Sequence, residues 1–261
     1  MPISGLPTDT GNNTVTVTPT GVHSANGLEG TDTLVVDYSS LSTNIYYRYI
    51  ANGYYGFVDD FYTGIHFINF ERYQITGGSG DDQLNGGDDT DILMGGAGAD
   101  VITGGLGADT IDGGSGHDRW NANSGSLNTN VLLTLSATQT ALIAATGASV
   151  SGIEAVTLTL GAGADLVDTL QVTGNDDVFG GAGNDEFRSG GGIDWFNGSD
   201  GTDRIVINYS DATTAVTHRY VANGWYAVED KAGTQRAHYI NVETFDITGG
   251  SGSDTLEGAA G

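Results

Sequence analysis

No cysteine occurs in the 261 residues, so no disulfide framework holds this chain together and no thiolate is on offer as nucleophile or metal ligand. Proline is scarce, at three residues, and without a G-x-y period a collagen helix is excluded. Basic residues number 8 against 33 acidic ones, a formal charge of −25. Such a surface repels phosphate, so nucleic acid is not an expected partner. The one lysine, Lys231, follows Asp230, so there is no phosphate-cradling G-K-[ST]. Long apolar runs are missing as well. The most apolar stretch, 131–150, is broken by Ser136, Thr138 and Gln139 and predicts no transmembrane segment. The first residues show neither a basic n-region nor an apolar h-region, so no Sec-type signal is visible. None of His23, His66, His117, His218 and His238 begins an H-E-x-x-H, and no G-x-S-x-G elbow occurs. With 26 aspartates, neighbours such as Asp59-Asp60 or Asp176-Asp177 are inevitable and single out no acid/base pair. No catalytic residue is assigned, and the chain is not expected to be an enzyme.

What is present is glycine, 43 residues, and aspartate, 26 against 7 glutamates. Both favour turns and disfavour helix interiors, which sets aside helical bundles. The two residues recur in frame. From Gly77 the chain runs GGSGDDQLN, GGDDTDILM, GGAGADVIT, GGLGADTID and GGSGHDRWN, ending at Asn121. Position six holds Asp82, Asp91, Asp100, Asp109 and Asp118, and position eight holds Leu84, Leu93, Ile102, Ile111 and Trp120. A second array carries Asp176, Asp185, Asp194 and Asp203, with Val178, Phe187, Phe196 and Ile205 two residues later. Single units at 27–35 and 249–257 carry Asp32 and Asp254.

A longer repeat encloses the short one. Residues 27–59 align without gaps to 198–230 with 15 identities in 33 positions, and 66–84 align to 238–256 with 12 in 19. Both copies contain RYxANGxY and an I-N-x-E segment, and a looser middle copy begins at Gly152. Asn52-Gly53 and Asn223-Gly224, set among Tyr, Val and Ile, predict hairpins. The expected organisation is an N-terminal segment (1–26), a β module with a leading unit (27–76), a first roll (77–121), a module (122–173), a second roll (174–206), a module (207–248) and the start of a further array (249–261).

The nonapeptide has a physical logic. Glycine-rich loops turn sharply and aim carbonyls at one point, while the x-U-x remainder is a minimal strand with one inward side chain. Two units make one coil, so equivalent aspartates recur every 18 residues. Coils stack about 4.8 Å apart, close to twice a calcium–oxygen distance of about 2.4 Å. Several calcium ions are therefore expected between coils, shared by the couples Asp82/Asp100, Asp100/Asp118, Asp91/Asp109, Asp176/Asp194 and Asp185/Asp203. Loop oxygens of Gly78, Gly80, Gly87, Asp89, Gly96, Gly98, Gly105, Gly107, Gly114, Gly116, Gly181, Gly183, Gly190 and Gly192 would complete the shells. Magnesium demands stricter octahedral geometry, and zinc would want His or Cys. Asp89 in place of glycine, Ser189 in place of a leading glycine, and the unit before Gly180, lacking both leading glycines, weaken the pattern locally. Asp32 and Asp254 have no aspartate 18 residues away and are expected to cap a roll or to bind through a module.

These arrays resemble the RTX family of hemolysin-type calcium-binding nonapeptide repeats. The resemblance implies an all-β fold of parallel β-rolls, here alternating with antiparallel modules. It also implies folding on calcium outside the cell after type I secretion, directed by an uncleaved C-terminal signal. The array opened at Gly249 is expected to continue, making this chain an excerpt of something longer. The implied role is a secreted structural or adhesive segment of a cell-surface, surface-layer or matrix protein, with neighbouring copies of itself as partners. The alternative is a polysaccharide-binding auxiliary module of a secreted enzyme such as an alginate epimerase. Residues 46–73 hold 11 of the 23 aromatics. Those matched in the second copy (Tyr49/Tyr220, Tyr54/Trp225, Tyr55/Tyr226, Phe57/Val228, Phe67/Tyr239, Tyr73/Phe245) are expected in the core or in shared strand packing. The unmatched Tyr46, Tyr47, Phe61 and Tyr62 are the candidates for a contact surface. His66 and His238 stand beside Glu71 and Glu243, with local hydrogen bonding preferred over a functional pairing.

Overall fold

The computed structural model describes residues 10–17, 21–59, 63–136 and 141–257, and every regular element among them is a β-strand. The chain forms two compact units, 1–122 with 146–153, and 123–145 with 154–261. Each is built from parallel sheets.

In the first unit, one sheet stacks Thr14–Val17, Thr33–Asp37, Arg72–Thr76, Ile92–Gly98, Thr110–Gly116 and Ala148–Ser151, all parallel. A second sheet contains Gln83–Gly87, Val101–Gly105 and Arg119–Asn123, also parallel. The register places Val101 opposite Gln83 and Arg119, and Ile92 opposite Gln74 and Thr110, so each coil takes 18 residues there. This is the β-roll. Every position-eight side chain points inward: Leu84, Leu93, Ile102 and Ile111 are buried, as is Trp120. Full burial of one such side chain contributes roughly 1.5–3 kcal/mol, and the x-U-x strand offers only that one.

The second unit repeats the plan. Leu132–Thr134, Leu166–Thr169, Glu186–Ser189, Arg204–Asn208 and Thr244–Thr248 form one parallel sheet. Ala155–Thr159, Asp177–Phe179, Ile193–Asn197 and Arg236–Ile240 form another. Val178, Phe187, Phe196 and Ile205 are buried, with Phe187 and Phe196 stacked at 5.5 Å.

The antiparallel modules are expanded coils of the same rolls. Where an ordinary coil places one strand in the second sheet, the coil between Thr33–Asp37 and Arg72–Thr76 places three. These are Tyr46–Ala51, Tyr54–Val58 and Gly64–Ile68, joined as an antiparallel meander. Val216–Ala222, Trp225–Asp230 and Arg236–Ile240 do the same in the second unit. Both hairpins close on Asn-Gly pairs with positive φ at both residues, 53° and 86° at Asn52-Gly53 and 52° and 87° at Asn223-Gly224. That is the type I′ turn whose twist suits a two-residue hairpin.

The matched aromatics divide between core and strand packing. Phe57, Phe67, Tyr73, Tyr239 and Val228 are buried, but Tyr49 and Tyr220 are 59% and 55% exposed and Tyr55 is 40% exposed. The last three lie next to the hairpin turns. Their duplication reflects local pairing: Tyr49 meets Tyr55 edge-on at 5.5 Å, and Tyr220 meets Tyr226 at 5.4 Å.

Candidate calcium-binding loops

The position-six aspartates divide their two oxygens between two tasks. One oxygen accepts a hydrogen bond from the backbone N–H of the equivalent residue one coil earlier. Asp82 N donates to Asp100 Oδ1 at 2.7 Å, Asp100 N to Asp118 at 2.8 Å, and Asp91 N to Asp109 at 3.0 Å. In the second unit Asp176 N donates to Asp194 at 3.0 Å and Asp185 N to Asp203 at 2.8 Å. All five expected couples are thus brought together, each as a rung of an aspartate ladder. A carboxylate accepting a backbone N–H is fixed in one rotamer, which determines where its other oxygen points.

That other oxygen is the chemically interesting one. Oδ2 of Asp32, Asp91, Asp100, Asp185 and Asp203 is buried with no hydrogen-bond donor. Each of these aspartates is at most 2% exposed. A buried, unpartnered carboxylate oxygen is costly unless it is protonated or meets a cation. Burial, opposed by a backbone hydrogen bond and reinforced by neighbouring aspartates, pushes Asp91 and Asp100 up to about 7 and Asp185 to about 6. Asp82, Asp109 and Asp203 are raised in the same direction and by the same main cause.

The loops set carbonyls beside these carboxylates. A Cβ added to Gly95, at position one, would fall 2.2 Å from Asp100 Oδ2 and 2.6 Å from the Gly113 carbonyl oxygen. The loop therefore brings a carboxylate and a carbonyl from the next coil to a place where only glycine leaves room. Positions two and four stack likewise. Cβ atoms on Gly96, Gly98, Gly105, Gly107, Gly114 and Gly116 would collide with the oxygens of Gly78, Gly80, Gly87, Asp89, Gly96 and Gly98. Those on Gly181, Gly183, Gly190 and Gly192 would meet oxygens of Gly161, Gly163, Leu170 and Gly174. Asp89 thus keeps a backbone carbonyl in line despite its side chain.

Among the described residues no three His, Asp or Glu side chains gather into a metal cluster. An ion here would rely on one or two carboxylates and several carbonyls. That all-oxygen, flexible set suits a large hard cation such as calcium better than zinc or magnesium. The orphaned Oδ2 atoms and the glycine cradles fit it.

The departures have local consequences. Ser189, the substitute at position one, donates its hydroxyl to Asp194 Oδ2 at 2.5 Å, so that oxygen is already partnered. Burial and then the Asp176 charge raise the Asp194 carboxyl. Gly78 N donates to Asp82 Oδ2 at 2.9 Å, so that oxygen is partnered as well. Asp254 accepts from Val216 N at 2.9 Å and Asp32 from Asn13 N at 2.7 Å, so both single units extend a ladder through backbone outside the arrays.

Three participants escaped the nine-residue frame. Asp165 accepts from Val131 N at 2.7 Å, its own N–H donates to Asp185 at 2.9 Å, and its Oδ2 is buried without a partner. It occupies position six of L-G-A-G-A-D-L-V-D at 160–168, a unit displaced by two residues from the array that follows; the G-A-G-A-D string was the available signal. The other two residues are Glu71 and Glu243. They do not pair with His66 and His238. Glu71 Oε2 accepts from Asp32 N at 2.9 Å, and Glu243 Oε2 from Asp203 N at 2.7 Å. His238 instead stacks on Trp195 at 4.0 Å.

Of the aromatic contact candidates, Phe61 and Tyr62 lie outside the described residues. Tyr47 is half-buried, stacked on Tyr55 at 5.3 Å and packed against Phe57 and Phe67. Tyr46, also half-buried, lies under the Arg48 guanidinium at 4.3 Å. No helix among the described residues is long and apolar enough to cross a membrane.

A model of the RTX calcium-binding nonapeptide repeat matches the chain in four copies, at residues 74–93, 85–119, 172–205 and 246–261. No curated protein matches it.

Proposed function

The chain belongs to the RTX calcium-binding nonapeptide repeat family, and on that premise we propose that it is a non-enzymatic, calcium-stiffened structural segment of an extracellular or cell-surface protein. Its repeats bind several calcium ions. The observation that carries the structural role is the set of aspartate ladders with unpartnered Oδ2 atoms. Ions at those oxygens would remove the charge repulsion within each row and tie each coil to the next. Because the modules are coils of the same roll, calcium would stiffen them together with the arrays. Repeats that contact only their neighbours propagate into extended supports, which suits an adhesive, surface-layer or matrix setting. An extracellular calcium supply would then act as the assembly signal.

The test is calcium withdrawal on the purified chain, followed by far-ultraviolet circular dichroism and hydrodynamic radius. Chelation should abolish most strand signal and expand the chain, and calcium should restore both. Identical spectra and radii in both conditions would sink the proposal.

A further inference from the structure

We propose that Glu71 and Glu243 of the two I-N-x-E segments complete a second type of calcium site, at the junction where an expanded module rejoins the roll. Both positions lie outside the four family-model matches.

Within an array, the N–H of one position-six aspartate is accepted by the aspartate one coil later. At Asp32 and Asp203 the next coil is an expanded module with no nonapeptide, and a glutamate takes over, from 39 residues away at Glu71 and 40 at Glu243. The longer side chain does what aspartate does elsewhere: one oxygen accepts the N–H, and a second negatively charged oxygen is left for other use.

The carbonyl is replaced too. A Cβ on Gly27 would fall 1.8 Å from the Asn69 carbonyl oxygen and 2.8 Å from Asp32 Oδ2. On Gly198 it would fall 2.0 Å from the Asn241 carbonyl oxygen and 2.3 Å from Asp203 Oδ2. Asn69 and Asn241 reach this position with positive φ, 56° and 53°, and each side-chain amide is pinned to Asn26 or Asn197 at 2.9 Å. The asparagine of I-N-x-E therefore stands in for the leading glycine, and the glutamate two residues later for the position-six aspartate.

The independent sign of a ligand is the orphaned oxygen. Asp32 and Asp203 are both fully buried, and both Oδ2 atoms lack any donor. Burial raises the Asp203 carboxyl, and the Glu243 charge adds to that rise. The arrangement recurs in both copies of the long repeat. At each junction one buried aspartate oxygen, one glutamate and one loop carbonyl would supply oxygens to a divalent cation. The ion would pin the module to the roll where the nonapeptide frame lapses.

This rests on the calcium-binding reading, and the experiment separates the two. Bound calcium is counted by equilibrium dialysis for the full chain, for Glu71→Gln, for Glu243→Gln and for the double variant. Glutamine keeps an oxygen to accept the Asp32 or Asp203 N–H but carries no charge. Each single variant should lose one ion, or weaken one site at least tenfold, and the double variant should lose two. Circular dichroism in chelator should match that of the wild type. A wild-type chain that binds no calcium overturns both readings. Variants that bind as many ions as wild type, with equal affinity, overturn only the junction sites and leave the glutamates as backbone caps. If the double variant fails to fold, the two single variants carry the same count.

Discussion

With calcium removed, the ladder carboxylates have only protons with which to offset their burial. Asp91 and Asp100 stand at about 7 and Asp185 at about 6, against 3.8 for a free aspartate. A carboxyl raised by folding favours the fold when protonated. Its contribution is complete below the unfolded pKa, about 3.9, and is lost as pH rises through the folded value. Three units at ~1.4 kcal/mol each would give on the order of 4 kcal/mol for Asp91 or Asp100; water reaching the glycine loops reduces that to about 2 kcal/mol per site. Calcium-free protein should therefore gain several kcal/mol as pH falls from about 8 to about 5. Below about 4 the trend reverses, because Asp37, held low by its hydrogen bonds from Ser39, then takes up a proton. Calcium must displace the bound protons. Where the calcium-free chain keeps its fold, toward about pH 5, saturation of the Asp91 and Asp100 sites releases protons. Calorimetric calcium titrations at about pH 5 in two buffers of different ionisation enthalpy measure that release, and strand signal by circular dichroism in chelator across the same pH range measures how much of the fold the protons restore. No proton release, or a chelated protein that grows more stable toward pH 8, would refute the reasoning.

Three further outcomes follow from the packing. Gly105→Ala should cost more than about 2 kcal/mol in chemical denaturation at saturating calcium, because its Cβ would lie 1.4 Å from the Gly87 carbonyl oxygen. Gly87→Ala has a similar φ, +109°, but open space around the added atom, and should cost only about 1 kcal/mol. Ser189→Gly frees Asp194 Oδ2 and should raise the calcium count by one ion; an unchanged count would show that the serine hydroxyl does not compete with the metal. Tyr47→Ala removes a ring from the Tyr55–Phe57–Phe67 stack and should cost about 3 kcal/mol, whereas the exposed Tyr49→Ala should cost less than about 1 kcal/mol in the same assay.

The candidate site was legible wherever the nine-residue frame held. Aspartate at position six and a large residue at position eight are tied to each other by the coil itself: one ends the loop, the next but one fills the core. Couples such as Asp82/Asp100 could be paired from the 18-residue step because the register of the parallel strands is that same step. Asp165 was missed for a small reason, a two-residue offset that breaks the frame without breaking the coil. Glu71 and Glu243 were missed for a larger one. Their partners lie 39 and 40 residues away, and the length of the intervening meander conceals that Asn69 and Glu71 arrive where a glycine and an aspartate would otherwise sit.

By itself the sequence determined the all-β character, the coil period, the inward residues, the hairpin turns and calcium as the ion. Each of these is local, because glycine, aspartate and alternation act over a few residues. Only the tertiary structure decided that the modules are coils of the roll and that Ser189 occupies an oxygen left open elsewhere. It alone showed that duplicated aromatics such as Tyr49 and Tyr220 lie outside the core. Those outcomes depend on which strand lies beside which. A periodic sequence announces its own neighbour one repeat away, and a stretch that leaves the period does not.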